Sequence, residues 1–505
     1  MAPLQPSASF AQQLGETSGQ RGARRGGWRR LSALASLVLV SAAGCGAGAS
    51  SGPPPTAKPI ATPSSGSSSA AEPGFVSGLV TDGNAVLGMP TASRPGYLAT
   101  IQPAPFGTSI SRLVGDPGGK FTILAGGGQG TWGTSARQHY SLDEPWNVAG
   151  TLIAIDNSGG SPKRVYLDGS TYAVRYGACP GTAGGDDRWN PIPAHGNERI
   201  EVLADNRTLE WVDVTTCAVT RSWTLPMPVI GIGHFKGNPS EDGRFLALGD
   251  ETSMFVVDML AWPAVRIGPI VNLRQGCNWS CVVRNITVSS SGRYVMVGYE
   301  GDARRVFDLD PSTLGVRPRP MPPSADWAGC QGTGARGFVH GTGHADVAID
   351  PFDSGEDVIV GQDNVCSKRG GGGVLGSVLM VRMRDGAVTS LTGPTNEASA
   401  WFVSCRNTSR RGWCYATYRQ ESRAARFNGE VVAVKLDGSL SVERFGQTRT
   451  INGNSPYDDQ PHSVPSRDGR RIIFASDWEL ACGTGCGGRT LAQAYLLDAS
   501  DGSRG

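Results

Sequence analysis

The chain has 505 residues, with 46 lysines and arginines against 44 aspartates and glutamates, and 71 of its residues are glycine. A net charge near zero with both signs dispersed excludes the basic footprint of a nucleic-acid-binding protein. Glycine at about twice its usual share of ~7%, among short apolar runs, is typical of all-β repeat proteins, in which it forms turns.

Residues 1–44 have the pattern of a signal peptide. Arginines between 21 and 30 precede a short apolar run, Leu31–Val40, which is too short to stay in a bilayer as a helix. Small residues then lead to Cys45, which resembles the lipobox of bacterial lipoproteins and implies that Cys45 is lipidated. Ordinary cleavage nearby is the alternative. We expect export to the outer membrane or cell surface, on a periplasmic or extracellular face.

Residues 45–84 are predicted to be a disordered tether. From Gly46 to Glu72 the chain is almost entirely Gly, Ser, Ala, Pro and Thr, which cannot bury enough apolar surface to become ordered. The membrane is then reached through the lipid anchor only, and the folded body occupies 85–505.

The body begins with three runs that read as strands, namely Leu98–Ile101, Ile110–Val114 and Phe121–Ala125. A ring of sheets leaves exposed strand edges unless the two ends of the chain pair. One of these runs is therefore expected to complete the last sheet beside Ala494–Leu497.

The rest of the body repeats one unit, clearest in His234–Met259. There an Asp-Gly turn at 242–243 separates polar residues from an alternating apolar run, which is a strong hairpin signal. The turn glycines of the copies lie 46 to 63 residues apart, at 150, 196, 243, 292, 355, 412 and 469. The period predicts an all-β fold: a seven-bladed β-propeller of four-stranded antiparallel blades.

A polar or charged side chain precedes each turn glycine by a similar distance. In chain order these residues are His139, Arg188, His234, Arg284, His344, Arg406 and His462. Equivalent positions of propeller blades converge on the central channel, so a basic funnel for an anionic ligand is expected there. The competing interpretation is structural, since one such residue often only bonds the neighbouring blade. Clustered cations would need an anion or a metal to offset their charge.

The ten cysteines other than Cys45 suggest local disulfides in an exported chain. The predicted pairs are Cys179 with Cys217, Cys277 with Cys281, Cys330 with Cys366, Cys405 with Cys414, and Cys482 with Cys486. Zinc binding is disfavoured because the CxxxC pairs lack matching histidines.

The motif Pro-Ser-x-Asp-Gly-Arg, at 239–244 and 465–470, resembles the WD40-like repeats of TolB-type periplasmic propellers. The segments His139–Asn147 and Gln460–His462 resemble those of bacterial propeller polysaccharide lyases of the oligogalacturonate-lyase and ulvan-lyase types. The resemblance implies β-elimination from an anionic, uronate-containing polysaccharide or oligosaccharide. From the ulvan-lyase type it implies a Tyr172–Arg188 pair. From the other type it implies a divalent metal (Mn, Ca or Zn) on His462 and Gln460, with His344 and His234.

Elimination needs a cation to neutralise the uronate carboxylate and a nearby base. The predicted catalytic residues are His139, Tyr172, Arg188, His234 and His344, and the predicted substrate-binding residues are Arg284, Arg406, Tyr140, Trp146 and Trp189. The alternative is a non-catalytic propeller that binds a glycan or an envelope protein. A hydrolase fits poorly because no convincing Gly-x-Ser-x-Gly elbow occurs. We expect a monomer.

Overall fold

The computed structural model describes residues 76, 78–180, 186–261, 264–275, 281–321, 337–363, 376–393, 396–450, 460–479 and 491–500. Over these residues the fold is all-β, with two one-turn 3-10 helices, Pro193–His195 and Glu300–Asp302. No helix in this part of the chain is both long enough and apolar enough to cross a membrane. The predicted signal peptide and Cys45 lie outside the described residues.

The strands follow in chain order. The first eight are β1 (Thr100–Ile101), β2 (Ser109–Arg112), β3 (Lys120–Thr122), β4 (Gln129–Thr131), β5 (Ser135–Arg137), β6 (Leu152–Ser158), β7 (Arg164–Asp168) and β8 (Val174–Gly177). Next come β9 (Asp186–Trp189), β10 (Glu198–Val202), β11 (Thr208–Asp213), β12 (Ala218–Thr224), β13 (Phe245–Gly249), β14 (Ser253–Asp258), β15 (Val271–Asn272), β16 (Val283–Val288), β17 (Tyr294–Tyr299), β18 (Arg304–Leu309), β19 (Val316–Pro318) and β20 (Phe338–Val339). The last are β21 (Gly343–Asp350), β22 (Glu356–Gln362), β23 (Val378–Arg382), β24 (Val388–Ser390), β25 (Ala400–Ser404), β26 (Trp413–Tyr418), β27 (Glu430–Lys435), β28 (Val442–Gln447), β29 (Val464–Pro465), β30 (Arg471–Ser476) and β31 (Ala492–Asp498).

Three sheets are four-stranded meanders in which each strand pairs with the next, namely β9–β12, β21–β24 and β25–β28. The strands β13–β15 form a three-stranded sheet and β16–β20 a five-stranded one, while β3 and β4 form a separate pair. A nine-stranded sheet holds β5–β8 on one side and β29–β31 with β1 and β2 on the other, joined by the parallel pairing of β31 with β5. The sheets therefore do not all have the four strands that the repeat predicted.

The two ends of the body meet in one sheet. Strand β2 pairs with β31 in antiparallel register, so that Ile110 lies opposite Leu497 and Arg112 opposite Tyr495. The predicted pairing of an N-terminal strand beside the last apolar run is confirmed. It covers the edge of β31 that would otherwise be free to pair with another chain.

The repeated turn has one backbone conformation. Six of the predicted turn glycines, at 150, 243, 292, 355, 412 and 469, have φ between 69° and 85°. The exception is Gly196, which has φ −65° because it ends the 3-10 helix Pro193–His195. In the clearest copy, Ser240 receives the backbone N–H of Phe245 and donates to Asp242, which fixes the turn. The same bonds recur around Ser466. The positions of the repeated turns predicted from the sequence are therefore confirmed at these six glycines.

Apolar clusters pack each sheet on the next in chain order and the last strands on the first sheet. Pairs of buried residues that share a cluster are Ala154 with Trp189, Ile200 with Leu248, Val256 with Val295, Met296 with Ile359, Val360 with Val403, Ala433 with Phe474, and Ile473 with Ile153. This cyclic packing of antiparallel sheets is the organisation of a β-propeller.

Residues before the predicted boundary at residue 85 contact the folded body. Val76 is buried and donates its N–H to Glu443, and Val80 bridges to Arg444. The Arg444 guanidinium also donates to the carbonyls of Asp82 and Ala85. The end of the predicted tether is thus part of the folded body, because apolar residues and backbone carbonyls there find partners on β28.

Two of the predicted disulfides are confirmed, Cys179–Cys217 and Cys405–Cys414. Cys281 is disulfide-bonded, and its predicted partner Cys277 lies outside the described residues. The predicted pairs Cys330–Cys366 and Cys482–Cys486 also lie outside them.

Candidate functional site

Five side chains lie near one another, and we call them the central cluster: Tyr140, Lys236, His344, Phe402 and His462. His344 and Phe402 belong to β21 and β25, and the other three lie in segments between strands. The Phe402 ring centroid is 4.1 Å from that of His462 and 4.6 Å from that of His344. Tyr140 lies 4.8 Å from His462 and 6.0 Å from Phe402, and the Lys236 Nζ is 5.7 Å from the Tyr140 ring centroid. The cluster combines aromatic faces, two imidazoles and an ammonium group.

Positive charge dominates around the central cluster. Burial, together with the charges of Lys236, Arg419 and Arg304, lowers the pKa of His344 to about 3, so this imidazole is neutral at physiological pH. Burial and the charges of Arg304 and Arg284 lower the pKa of Lys236, against an opposing effect of Asp302. Burial is also the largest cause that lowers the pKa of Arg304 and of Arg419. Asp302 opposes the shift for Lys236 and Arg304, and Glu421 opposes it for Arg419, but neither carboxylate outweighs the effect of burial.

Three of the four histidines predicted to line the funnel share an unusual backbone conformation. His234, His344 and His462 have φ of 59°, 43° and 43°, in the left-handed region that few residues other than glycine adopt. The shared conformation indicates equivalent places in their repeats. His234 lies two residues before Lys236; it is 9% exposed, and burial lowers its pKa.

The other histidine of the predicted ring, His139, lies in a network of ion pairs with Arg188. The Nδ1 of His139 is 3.3 Å from an Asp143 oxygen. Burial alone would lower the pKa of His139, but Asp143 and two further aspartates raise it. Arg188 is buried and donates to Asp186 at 2.6 Å and to the Gly237 carbonyl at 2.9 Å. The N–H groups of His139 and Arg188 were predicted to bind a ligand. Much of their hydrogen-bonding capacity is instead used by these carboxylates and the carbonyl of the protein.

The two remaining arginines of the ring are also paired. Arg406 makes a bidentate ion pair with Asp346, at 2.9 Å and 2.7 Å, and both side chains are buried. The pair joins β21 to the segment after β25. Arg284 lies 3.3 Å from Glu300 with 32% of its side chain exposed. Both arginines had been predicted to bind substrate, but in this structure each faces a carboxylate of the protein.

The predicted aromatic and tyrosine residues lie in different surroundings. Tyr140 belongs to the central cluster. Trp146 and Trp189 are 1% and 5% exposed, so their faces pack against protein instead of opening to a sugar. Tyr172 lies in the turn between β7 and β8 and packs against the apolar cluster that includes Leu113. The structure therefore does not place Tyr172 in the ionic surroundings of Arg188.

The residues predicted to hold a metal do not form a convincing metal site. Gln460 and His462 are 6% and 0% exposed. Among the described residues, no group of three or more His, Cys, Asp or Glu side chains could hold a metal ion. The charged residues with the largest effect on the pKa of His344 are all cations, which would repel a divalent ion. We therefore assign no step to a metal.

Several residues of the site were missed from the sequence. Lys236, Phe402, Arg304 and Arg419 do not occupy the position of the repeat that predicted the funnel. Lys236 lies 7 residues before Gly243 and Phe402 lies 10 before Gly412, so no single position of the repeat identifies both. Arg304 begins β18, the third strand of its sheet in chain order, and carries no such positional signal.

Comparison with known proteins gives only a general likeness of fold. No family model and no curated protein matches the sequence. Among solved structures, an oligogalacturonate lyase in complex with manganese is 14% identical with a TM-score of 0.47, over 81% of this chain and 98% of that one. An oligogalacturonate lyase from Vibrio parahaemolyticus is 12% identical with a TM-score of 0.44, over 75% and 96%. A β-propeller domain from Myceliophteria thermophila is 12% identical with a TM-score of 0.40, over 72% and 98%. At these values no residue role is transferred.

Proposed function

We propose that the protein binds a carboxylate-bearing polysaccharide at the central cluster and cleaves it by β-elimination. The observation that supports this is a group of three cations, Lys236, Arg304 and Arg419, whose pKa values are lowered by burial, near the rings of Tyr140 and Phe402. A bound carboxylate would add negative charge where Asp302 and Glu421 only partly offset the cost of burying these cations. The aromatic rings offer apolar surface to a sugar.

In this proposal His344 is the base. Its imidazole is neutral at pH 7, because burial and the charges of Lys236, Arg419 and Arg304 lower its pKa to about 3. A bound carboxylate that offsets those charges raises this pKa toward the range of an effective general base. It removes the proton from the carbon next to the uronate carboxylate, while Lys236 stabilises the negative charge that develops on that carboxylate. The electron pair of the broken C–H bond forms a carbon–carbon double bond. The bond from the neighbouring carbon to the glycosidic oxygen breaks, and that oxygen takes a proton from Tyr140, which solvent replaces.

A non-catalytic propeller that binds glycans is the second candidate. His462 and Phe402 are 0% and 1% exposed, whereas Lys236, His344 and Arg419 are partly exposed. An anionic chain held only at the partly exposed cations would bind without reaching deeper groups. This candidate needs the cations but no base.

Two variants and one control variant test both candidate functions. Purified protein is offered a panel of uronate polymers, and ultraviolet absorbance of the unsaturated uronate is followed over time while binding is measured in parallel. His344→Gln should lower turnover by about 100-fold or more and keep binding. Lys236→Met should weaken binding. The control Arg411→Met, which removes a surface ion pair with Glu241, should not weaken it. Binding without any absorbance change across the panel rejects the lyase and retains the binder. Unchanged binding in Lys236→Met rejects both.

We further propose that the body is a seven-bladed propeller that acts as a monomer in the cell envelope, exported and anchored through lipidated Cys45. The amino-terminal pattern of the sequence supports the anchor, and the cyclic packing of the sheets supports the blade number. Cys45→Ser should release the protein from membranes into the soluble fraction. A variant that stays with the membranes would reject the lipid anchor.

A further inference from the structure

A cavity of ≈490 Å³ is lined by residues of the strands β6 and β7 and of the sheet β9–β12, together with His139, and no residue of the central cluster is among its lining residues. Its size is in the usual range for small-molecule sites. The lining residues that matter here come from β10 and β9, with one lysine beside them: Asp187, Arg199, Glu201 and Lys163. Three of these, Asp187, Arg199 and Glu201, are only 2–3% exposed.

Two carboxylates lie side by side in this cavity. Asp187 of β9 is the direct register partner of Glu201 of β10, so their side chains share one face of the sheet. One oxygen of Asp187, Oδ2, pairs with Arg199 and Arg164. The other oxygen, Oδ1, and the Oε1 of Glu201 are buried without a hydrogen-bond partner. Like charges placed opposite each other are destabilising, and unsatisfied buried acceptors add to that cost.

The same cavity offers donors. The Nη1 of Arg199 is buried without a hydrogen-bond partner. Lys163 is exposed at the edge of the cavity. Between donors and acceptors the wall is apolar, with Val212 and Val214. The cavity thus has two spare acceptors, spare cationic donors and an apolar wall.

We propose that this cavity binds a small zwitterion of the α-amino acid class. The ligand's ammonium group would lie between the spare oxygens of Asp187 and Glu201, which it satisfies with charge-assisted hydrogen bonds. Its carboxylate would face Arg199 and Lys163, and an apolar side chain would lie against Val212 and Val214.

A metal ion fits this site less well. Three acidic residues line the cavity, Asp156, Asp187 and Glu201, but Arg164 pairs with both Asp156 and Asp187, and Arg199 pairs with Asp187 as well. Within the described residues no cluster of three potential metal-ligating side chains occurs. An ammonium group needs neither three free carboxylates nor a fixed coordination geometry.

The proton state of Glu201 gives an independent readout. Burial, and next the charge of Asp187, raise the pKa of Glu201 to about 7 in the free protein. Glu210 adds to this shift, and Arg164 and Arg199 oppose it. The proton offsets the repulsion when no ammonium group is present. An ammonium group favours the ionised carboxylate instead, so binding near neutral pH should release a fraction of a proton.

The test uses the full-length protein and isothermal titration with leucine, N-acetyl-leucine and leucinamide, in two buffers of different ionisation enthalpy. Leucine should bind with proton release. N-acetyl-leucine lacks the ammonium group and leucinamide the carboxylate, so both should bind at least about tenfold more weakly. Glu201→Gln should weaken leucine binding by about tenfold or more.

The matched control is Glu210→Gln. Glu210 lies opposite Glu201 on β11, outside the cavity lining, and accepts a hydrogen bond from Ser222. This variant should bind leucine with the affinity of the wild type but release less proton, because the charge of Glu210 also raises the pKa of Glu201. Failure of leucine, valine, alanine and glycine to bind would overturn the proposal. So would equal binding of N-acetyl-leucine, or Glu201→Gln behaving like the control while both variants melt as the wild type does.

Discussion

Replacing Arg406 by methionine should destabilise the protein and leave anion binding intact. The guanidinium pairs with Asp346 at 2.9 Å and 2.7 Å, and the two side chains are 9% and 2% exposed. Methionine keeps much of the aliphatic volume but leaves Asp346 buried without its cation. Losing one partner of a buried pair costs about 3–5 kcal/mol. With an unfolding entropy of about 2.1 cal/mol/K per residue over 85–505, Tm should fall by about 3–6 °C.

The matched control is Arg284→Met, at another position of the predicted ring. Its pair with Glu300 spans 3.3 Å, and the two side chains are 32% and 54% exposed. Exposed pairs contribute about 0–1 kcal/mol, so the control should melt within about 1 °C of the wild type. Thermal melting by circular dichroism and binding of an anionic polymer below Tm measure the two effects separately. Equal melting of the two variants, or lost binding in folded Arg406→Met, would refute the structural role of Arg406.

Three further predictions concern the disulfides, the paired chain ends and pH. Removing Cys179–Cys217 should lower the free energy of unfolding by about 4 kcal/mol, and removing Cys405–Cys414 should lower it by about 2.5 kcal/mol. The loops span 38 and 9 residues, and longer loops lose more entropy when closed. Urea unfolding that gives the opposite order would contradict this. Ile110→Asp buries a charge at a residue that is 1% exposed and should lower the free energy of unfolding by more than about 3 kcal/mol. Thr100→Asp, at an exposed position, should not. Equal resistance of the two variants to proteolysis would contradict the role of β2. The pKa of His344 falls from 6.5 to about 3 on folding, so below about pH 6.5 the unfolded state binds more protons and stability falls toward pH 3. His344→Gln should flatten that part of the curve of Tm against pH. Parallel curves for the variant and the wild type would contradict this prediction.

The fold was largely predictable because its signals are local. The turn at Ser240–Gly243 is specified by a serine hydroxyl, an aspartate and a glycine within a few residues, and the same chemistry returns at Ser466–Gly469. Pairing of the chain ends followed from the need to cover an edge strand. Strand number per sheet was less predictable, because it depends on how neighbouring loops pair, as β20 does with β18.

The site was only partly predictable because its chemistry depends on distant partners. The positions of His234, His344 and His462 followed from the repeat. What the sequence did not reveal is that Arg406 meets Asp346, 60 positions earlier, or that Arg188 meets both Asp186 and the Gly237 carbonyl. Residues of one type at the same position of the repeat therefore have different roles. Each role depends on a contact with a residue distant in sequence, which no local pattern predicts.

The presence or absence of a counter-charge separates the two roles. Arg406 has its carboxylate within hydrogen-bond distance, and a ligand anion would have to displace that carboxylate and leave it buried. Burial and the charge of Arg304 lower the pKa of Lys236, and Arg304 itself faces Asp302 only at 3.8 Å. An anion that reaches Lys236 and Arg304 has no bidentate internal ion pair to displace, unlike an anion at Arg406. Anion binding should therefore gain more at the central cluster than at Arg406, although Lys236, Arg304 and Arg419 were not predicted from the sequence.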